Sequence, residues 1–320
     1  MKKWWKLAMC GLLTSSLFAV GCTDLNMNDD SDGPHKVRVV TSFYPMYEFA
    51  KQIGGDLVDV TVLVPSGMEP HDWEPKPKDV AKVQEADVFV YNGAGFESWV
   101  DNVLGTVTSP SLKVVEASNG IQLLENKDEN HDGHEDAVAF GQPSQMMDPH
   151  VWLDPKLAQQ EVRTIANALE KKDPAHAEVY KKNAADYIAQ LADLDQAFTD
   201  EFTGAPNKEF VTSHTAFGYM AKSYGLTQVP IAGLSPEQEP SAGDMRDIVN
   251  LVKAHNVKTI FFETLASPKV AETVAREVGA KTGVLNPLEG LTEDEKAQGL
   301  DYIGVQKQNL TALKQALSEA

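Results

Sequence analysis

Residues 174–202, PAHAEVYKKNAADYIAQLADLDQAFTDEF, decide how the chain divides. Tyr180, Ala184, Tyr187, Ile188, Leu191, Leu194 and Phe198 recur at steps of three or four, so a helix here has one apolar face along most of its length. At about 1.5 Å per residue that rod is about 40 Å long, enough to carry the chain from one lobe to another. Pro174 suits a first helical turn, and Gly204-Ala205-Pro206 suits the stop. Pro155 to Lys171, just upstream, is also strongly helical. Outward from this centre the pattern changes on both sides to short β-branched runs alternating with helical stretches. Towards the N-terminus Val37–Ser42, Val58–Pro65, Ala86–Asn92 and Lys113–Ala117 read as buried strands, with helices around Met46–Ile53, Pro77–Glu85 and Phe96–Leu104. Towards the C-terminus the strands are Glu209–Ser213, Gln228–Ala232, Val257–Phe262 and Thr282–Asn286, with helices near Phe217–Tyr224, Gly243–His255 and Pro268–Val278. Such alternation makes βαβ units and parallel sheets. The expected fold is α/β: two lobes, each a mainly parallel sheet flanked by helices, joined by a long linker helix. The boundaries read as 36–173 for the N-terminal lobe, 174–204 for the linker and 205–320 for the C-terminal lobe.

Composition agrees with two cores. The chain has 320 residues, 42% apolar and 23% charged, which excludes wholesale disorder, collagen and a polytopic membrane protein. With 28 Lys+Arg against 47 Asp+Glu the formal charge is −19, and no basic patch interrupts it, so nucleic acid is not an expected partner. Cys10 and Cys22 are the only cysteines, so nothing after them can form a disulfide or a thiolate metal site. Lys2, Lys3 and Lys6 precede an apolar run, Leu7–Val20, that is too short to span a bilayer comfortably; residues 1–21 read as a signal peptide. Phe18-Ala19-Val20-Gly21-Cys22 resembles the lipobox of bacterial lipoproteins, with Ala19 where Leu is commonest, and would make an acylated Cys22 the first mature residue. Residues 1–21 hold three lysines and no acid, so their removal takes the charge from −19 to −22. Residues 22–35, poor in anything to bury, read as a flexible tether. The expected location is extracytoplasmic, lipid-anchored to the outer face of the cell membrane.

The chemistry lies in the histidines. His71 follows a strand, in Pro70-His71-Asp72-Trp73-Glu74-Pro75; His214 follows Glu209–Ser213 directly, and Glu289 lies just past Thr282–Asn286. Ligands of parallel sheets collect at the carboxyl ends of strands, so residues from both lobes would meet in one cleft. His150 joins by another route, in Asp148-Pro149-His150-Val151-Trp152, before the first long helix. Three imidazoles and a carboxylate meet zinc's demand for four nitrogen and oxygen donors. Position after a strand does not choose between Glu289 and Glu263, which ends Val257–Phe262.

Five stretches resemble a known family. They are Pro70–Pro75, Asp148-Pro149-His150-Val151-Trp152-Leu153-Asp154-Pro155, Thr212-Ser213-His214-Thr215-Ala216-Phe217, Gly233-Leu234-Ser235-Pro236-Glu237-Gln238-Glu239-Pro240-Ser241 and Asn286-Pro287-Leu288-Glu289-Gly290-Leu291. Their order and spacing resemble the zinc-binding solute receptors of bacterial ABC importers, in particular Gram-positive lipoprotein members, some of them described as laminin-binding adhesins. The resemblance runs from about Lys36 to the C-terminus. It implies a rigid linker helix, a zinc ion held by His71, His150, His214 and Glu289, a membrane permease as partner, a monomer, and for some members a host matrix protein as second partner. Manganese members commonly carry Glu for the third His and Asp for the last Glu, so His214 and Glu289 favour Zn2+.

Between strand-like Ile121–Leu124 and His150, residues 125–145 form an acidic insert with His131 and His134, where zinc members often carry a longer His-rich loop; it reads either as an auxiliary metal-gathering loop or as a solvated acidic segment. His35, His176 and His255 read as surface residues. Phe43, Tyr44, Tyr47, Trp73 and Trp152 suit cleft walls or plain core equally, while Asp72, Asp148 and Asp154 are candidates to hold imidazole N–H groups. Three functions compete: a non-catalytic zinc receptor, a zinc hydrolase, and an adhesin with structural zinc. Against a hydrolase, there is no His-Glu-x-x-His stretch, and a glutamate in the fourth position closes the place an activated water needs.

Overall fold

Two series of four strands build two sheets of the same order. The computed structural model describes residues 36–125, 147–236, 242–254 and 257–318. The signal peptide, the tether with Cys22, His35, His255, and the insert's His131 and His134 lie outside the described residues. The first series runs β1 (Val37–Thr41), α1 (Tyr44–Gly54), β2 (Val58–Val62), α2 (Pro77–Glu85), β3 (Val88–Tyr91), α3 (Val100–Thr106) and β4 (Lys113–Glu116). Then come α4 (Pro155–Lys172) and α5 (Ala177–Phe202). The second series is β5 (Glu209–Thr212), α6 (Gly218–Tyr224), β6 (Thr227–Pro230), α7 (Ala242–Ala254), β7 (Thr259–Phe262), α8 (Lys269–Val278) and β8 (Lys281–Val284), closed by α9 (Glu293–Ala297) and α10 (Tyr302–Ser318). The orders are β2-β1-β3-β4 and β6-β5-β7-β8, with every pairing parallel.

Period-two alternation sorts each first-lobe strand between two cores. Val39, Val88, Val90 and Val115 face α1, α4 and α5, whereas Val40 and Phe89 pack with Trp99, Val100 and Val103 on the other face. The larger core continues without a break through Leu169, Leu191, Leu194 and Phe198 to Phe210, Phe217, Leu285 and Tyr302 of the second lobe. Helix α5 lies in its middle, against α1 and α4 on one side and α6 and α10 on the other. Each fully buried Leu or Phe there contributes about 1.5–3 kcal/mol relative to exposure, so packing on both lobes holds α5 in place.

Three local expectations change. Helix α5 begins at Ala177; Pro174–His176 is a separate 3₁₀ turn in which Asp173 receives hydrogen bonds from the Tyr180 hydroxyl (2.8 Å) and pairs with His176 Nδ1 (2.7 Å). The helix expected from Phe96 begins only at Val100, because the preceding residues make a turn around the Glu97 carboxylate, with Ala94 at φ 55° and Gly95 at φ 83°. Ile121–Leu124, read as strand-like, joins neither sheet: Leu124 N–H donates to the Tyr219 hydroxyl (2.9 Å), and an isolated antiparallel bridge, Glu125 to Met147, closes the base of the insert.

Candidate metal centre

Four side chains from four different segments converge past the carboxyl ends of the strands. His71 stands in the loop after β2, its backbone N–H on Glu69 Oε1 (3.0 Å) and its ring edge-on to Phe96 at 4.8 Å. His150 precedes a 3₁₀ turn, Val151–Leu153; Asp148 Oδ1 accepts from its backbone N–H (2.9 Å) and faces Nδ1 (2.8 Å). His214 lies two residues past β5 with its carbonyl accepting from Thr212 Oγ1 and Gln228 Nε2, both at 2.8 Å, and its Nδ1 on Glu263 Oε1 at 2.6 Å. With Nδ1 engaged on both rings, Nε2 is the atom each presents.

Glu289 follows β8 on a tightly built loop. Asn286 N–H donates to Asn309 Oδ1 (2.9 Å), Asn309 Nδ2 donates back to Asn286 O (2.7 Å), and Asn286 Oδ1 accepts from Leu288 N–H (2.7 Å). Leu288 is fully buried at φ 58°, a left-handed conformation costing an ordinary residue roughly 1–2 kcal/mol. The next residue is Glu289, so the strain sits beside the side chain it presents.

The resulting nest is compact. One ligand atom from each of His71, His150, His214 and Glu289 lies within 4.8 Å of the others, and among the described residues no other group of three or more His, Cys, Asp or Glu side chains gathers in this way. Glu289 Oε1 is 3.3, 3.6 and 3.4 Å from Nε2 of His71, His150 and His214, and the last two Nε2 atoms are 3.4 Å apart. Metal–ligand bonds of about 2.0–2.1 Å in a tetrahedron put neighbouring donors roughly 3.3–3.4 Å apart, so the spacing already suits zinc. His150, His214 and Glu289 are almost wholly buried, while the His71 side chain keeps 11% of its surface exposed. The nest therefore opens to solvent beside His71.

Electrostatics favour a cation. Burial raises the Glu289 carboxyl, but the three imidazoles outweigh it and hold the group well below the usual carboxylate range. Burial opposes charge on His214 too, yet the Glu263 and Glu289 carboxylates push it up to about 10; Asp148 and Glu289 likewise raise His150. Without a metal the nest is a buried carboxylate holding a proton on the His214 ring, which a divalent cation can displace.

Of the other residues singled out above, some line this nest and some do not. Asp148 holds an imidazole. Asp72 is exposed with its backbone N–H on Glu69, and Asp154 caps α4 through Lys156 N–H, so neither reaches a histidine. The group on His214 is Glu263, whose role no spacing rule could reveal. Trp152, 5.2 Å from the His150 ring, and Phe96, 4.8 Å from the His71 ring and ahead of α3, wall the site, with Phe43 packed behind both; Trp73 packs instead on Trp99 at 5.2 Å. Among the described residues no ring contact joins Tyr44 or Tyr47 to the four side chains, and His176 is half-exposed and paired with Asp173.

Two parallel-sheet lobes with a nest of nitrogen and oxygen donors between them define a two-lobed metal-binding protein. Residues 39–316 match the family described as ZnuA, zinc-uptake complex component A, periplasmic, and the chain belongs to that family. It is 51% identical over 319 residues to the high-affinity zinc uptake system protein ZnuA of Bacillus subtilis (strain 168), covering 99% of this chain and 98% of that one. It is similar to the crystal structure of the Zn(II)-bound ZnuA-like domain of Streptococcus pneumoniae AdcA, with a TM-score of 0.76, 42% identity and coverage of 89% and 100%. AdcA itself is longer, and this chain spans 59% of it. The laminin-binding protein Lmb of Streptococcus agalactiae, described as bifunctional with adhesin and metal-transporting activity, matches with a TM-score of 0.77, 38% identity and coverage of 88% and 100%.

Proposed function

We propose that this chain is an extracytoplasmic receptor that binds Zn2+ through His71, His150, His214 and Glu289 and delivers it to the membrane permease of an ABC importer. The observation that carries this reading is the single carboxylate oxygen of Glu289 set 3.3–3.6 Å from three imidazole Nε2 atoms in a buried nest. Three neutral imidazoles and a carboxylate satisfy zinc completely. A hydrolase needs an open fourth position for water, and Glu289 occupies it, so binding and release is the activity the donors suit. Residues 1–21 act as the signal peptide, Cys22 as the lipid anchor and 22–35 as the tether, ahead of lobes 36–173 and 205–320 joined by the linker 174–204; the receptor works as a monomer. His131 and His134 of the 125–145 insert gather zinc without forming the tight site, so a deletion of 125–145 keeps one tight zinc.

Equilibrium dialysis with metal analysis tests the reading, with a panel of hydrolase substrates alongside. One tightly held zinc per chain and no turnover is the expected result; turnover removes the receptor reading, and failure to hold zinc removes every zinc function. A second reading, adhesion to a host matrix protein, is favoured by the likeness to Lmb. Binding of the full chain to immobilised laminin, compared with and without zinc, tests it.

A further inference from the structure

The peptide between Pro287 and Leu288 is held at both ends by side chains. Its carbonyl accepts from Trp152 Nε1 at 2.8 Å, and its N–H donates to Asn286 Oδ1 at 2.7 Å. Rotation of this peptide plane is what sets φ at Leu288, so the two hydrogen bonds keep Leu288 left-handed at 58° and thereby aim Glu289. Asn286 belongs to the second lobe, but Trp152 reaches over from the segment that carries His150. Its indole is fully buried between Phe43 at 4.8 Å and Phe96 at 4.9 Å, with the His150 ring 5.2 Å away, and its own carbonyl accepts from the Tyr302 hydroxyl. A second tie lies at the rim, where Gly67 N–H donates to Leu291 O at 3.1 Å.

We propose that Trp152 is a positioning residue for Glu289, acting across the two lobes through the Pro287–Leu288 peptide. The proposal rests on Glu289 being a zinc ligand. Its consequence concerns release: a movement that parts Trp152 from Pro287 frees the peptide, lets Leu288 relax, and withdraws the carboxylate from the zinc. Opening the cleft and losing the fourth donor are then one event.

A double-mutant cycle on the full chain reads this coupling, using zinc Kd from competition with a chelating fluorophore and dissociation rate from a chelator chase. Trp152→Phe keeps an aromatic ring and removes the N–H. Alone it should weaken binding roughly 10-fold and speed release by a similar factor, within the range seen for loss of an outer partner. In a Glu289→Ala background the same substitution should change Kd less than about 2-fold, because the group it positions is gone. An equal loss in both backgrounds makes Trp152 a packing residue and overturns the proposal, as does normal zinc binding by Trp152→Phe. If Glu289→Ala alone binds as the unaltered chain does, the ligand assignment has failed instead. Should Trp152→Phe not melt cooperatively, Leu288→Ala and Leu288→Gly replace it: both lose the same packing, but only glycine accepts the left-handed turn freely. Binding at least about 5-fold tighter in Leu288→Gly than in Leu288→Ala, abolished by Glu289→Ala, is expected; equal affinities overturn the proposal.

Discussion

The two lobes share a strand order and use it differently. In each, a glutamate stands past the third strand of its series, at the crevice where the connections part to either side: Glu97 beyond β3 and Glu263 beyond β7. Glu97 is taken up by its own lobe, accepting from Asn92 N–H at 2.8 Å, Gly93 N–H at 3.0 Å and the Ser42 hydroxyl at 2.6 Å. Glu263 instead meets the imidazole of His214 at 2.6 Å. The first crevice is thus filled by a turn of backbone, and that lobe brings its histidines from elsewhere, His71 after an edge strand and His150 from the segment before α4. The second keeps its crevice for a histidine. Equal topology does not make equal chemistry; what decides is whether the crevice carboxylate is offered backbone donors or a side chain.

The largest effect should come from Glu289, which serves neither crevice but faces all three imidazoles. Glu289→Ala should weaken zinc binding by at least about 100-fold in calorimetry, exceeding the roughly 10–100-fold typical of an outer partner. Loss smaller than that of Glu263→Ala would exchange their roles. Glu263→Ala should fall within the 10–100-fold range by freeing the His214 ring. Its effect should appear in zinc affinity, where Glu97→Ala should leave affinity nearly intact and instead cost about 3 kcal/mol by orphaning two backbone donors. That corresponds to roughly 6–12 °C in Tm. A Glu97→Ala protein that melts normally but loses zinc would erase the contrast between the lobes.

The smallest effect concerns protons. His214, pushed up to about 10 by the Glu263 and Glu289 carboxylates, carries a proton at neutral pH when no cation is bound, His150 is shifted in the same direction by Asp148 and Glu289, and zinc takes only neutral imidazole. A raised pKa means that affinity climbs with pH until that pKa is passed, and falls as pH drops. Calorimetry at about pH 7.5 in buffers of differing ionisation enthalpy should therefore register release of about one proton or more per zinc. No release would mean that both rings are already neutral.

Much of this was legible in the chain because the central strands β1, β3, β5 and β7 are largely buried and therefore read as apolar runs rich in β-branched and aromatic residues, and because α5 carries an unbroken apolar stripe. Helix α10 was not foreseen: its buried face includes Gln306 and Asn309, which interrupt the stripe and are there to bond Leu153 O and the Asn286 backbone. The four side chains that gather in the nest were legible through motif resemblance, with Glu263 and Glu289 inseparable by position alone. Orientation stayed hidden. Asp72 and Asp148 each stand near a histidine in sequence, and only the fold turns one towards the ring and the other to solvent. Phe96 and the Trp152 to Pro287 contact depend on segments distant in the chain, which no local pattern records.

Zinc K-edge X-ray absorption on the protein loaded with one equivalent of zinc addresses the central claim most directly. The account predicts four nitrogen and oxygen donors at about 2.0–2.1 Å with outer scattering from three imidazoles, falling to three imidazoles and a water in Glu289→Ala. A spectrum with two or fewer imidazoles, or one unchanged by Glu289→Ala, would contradict it.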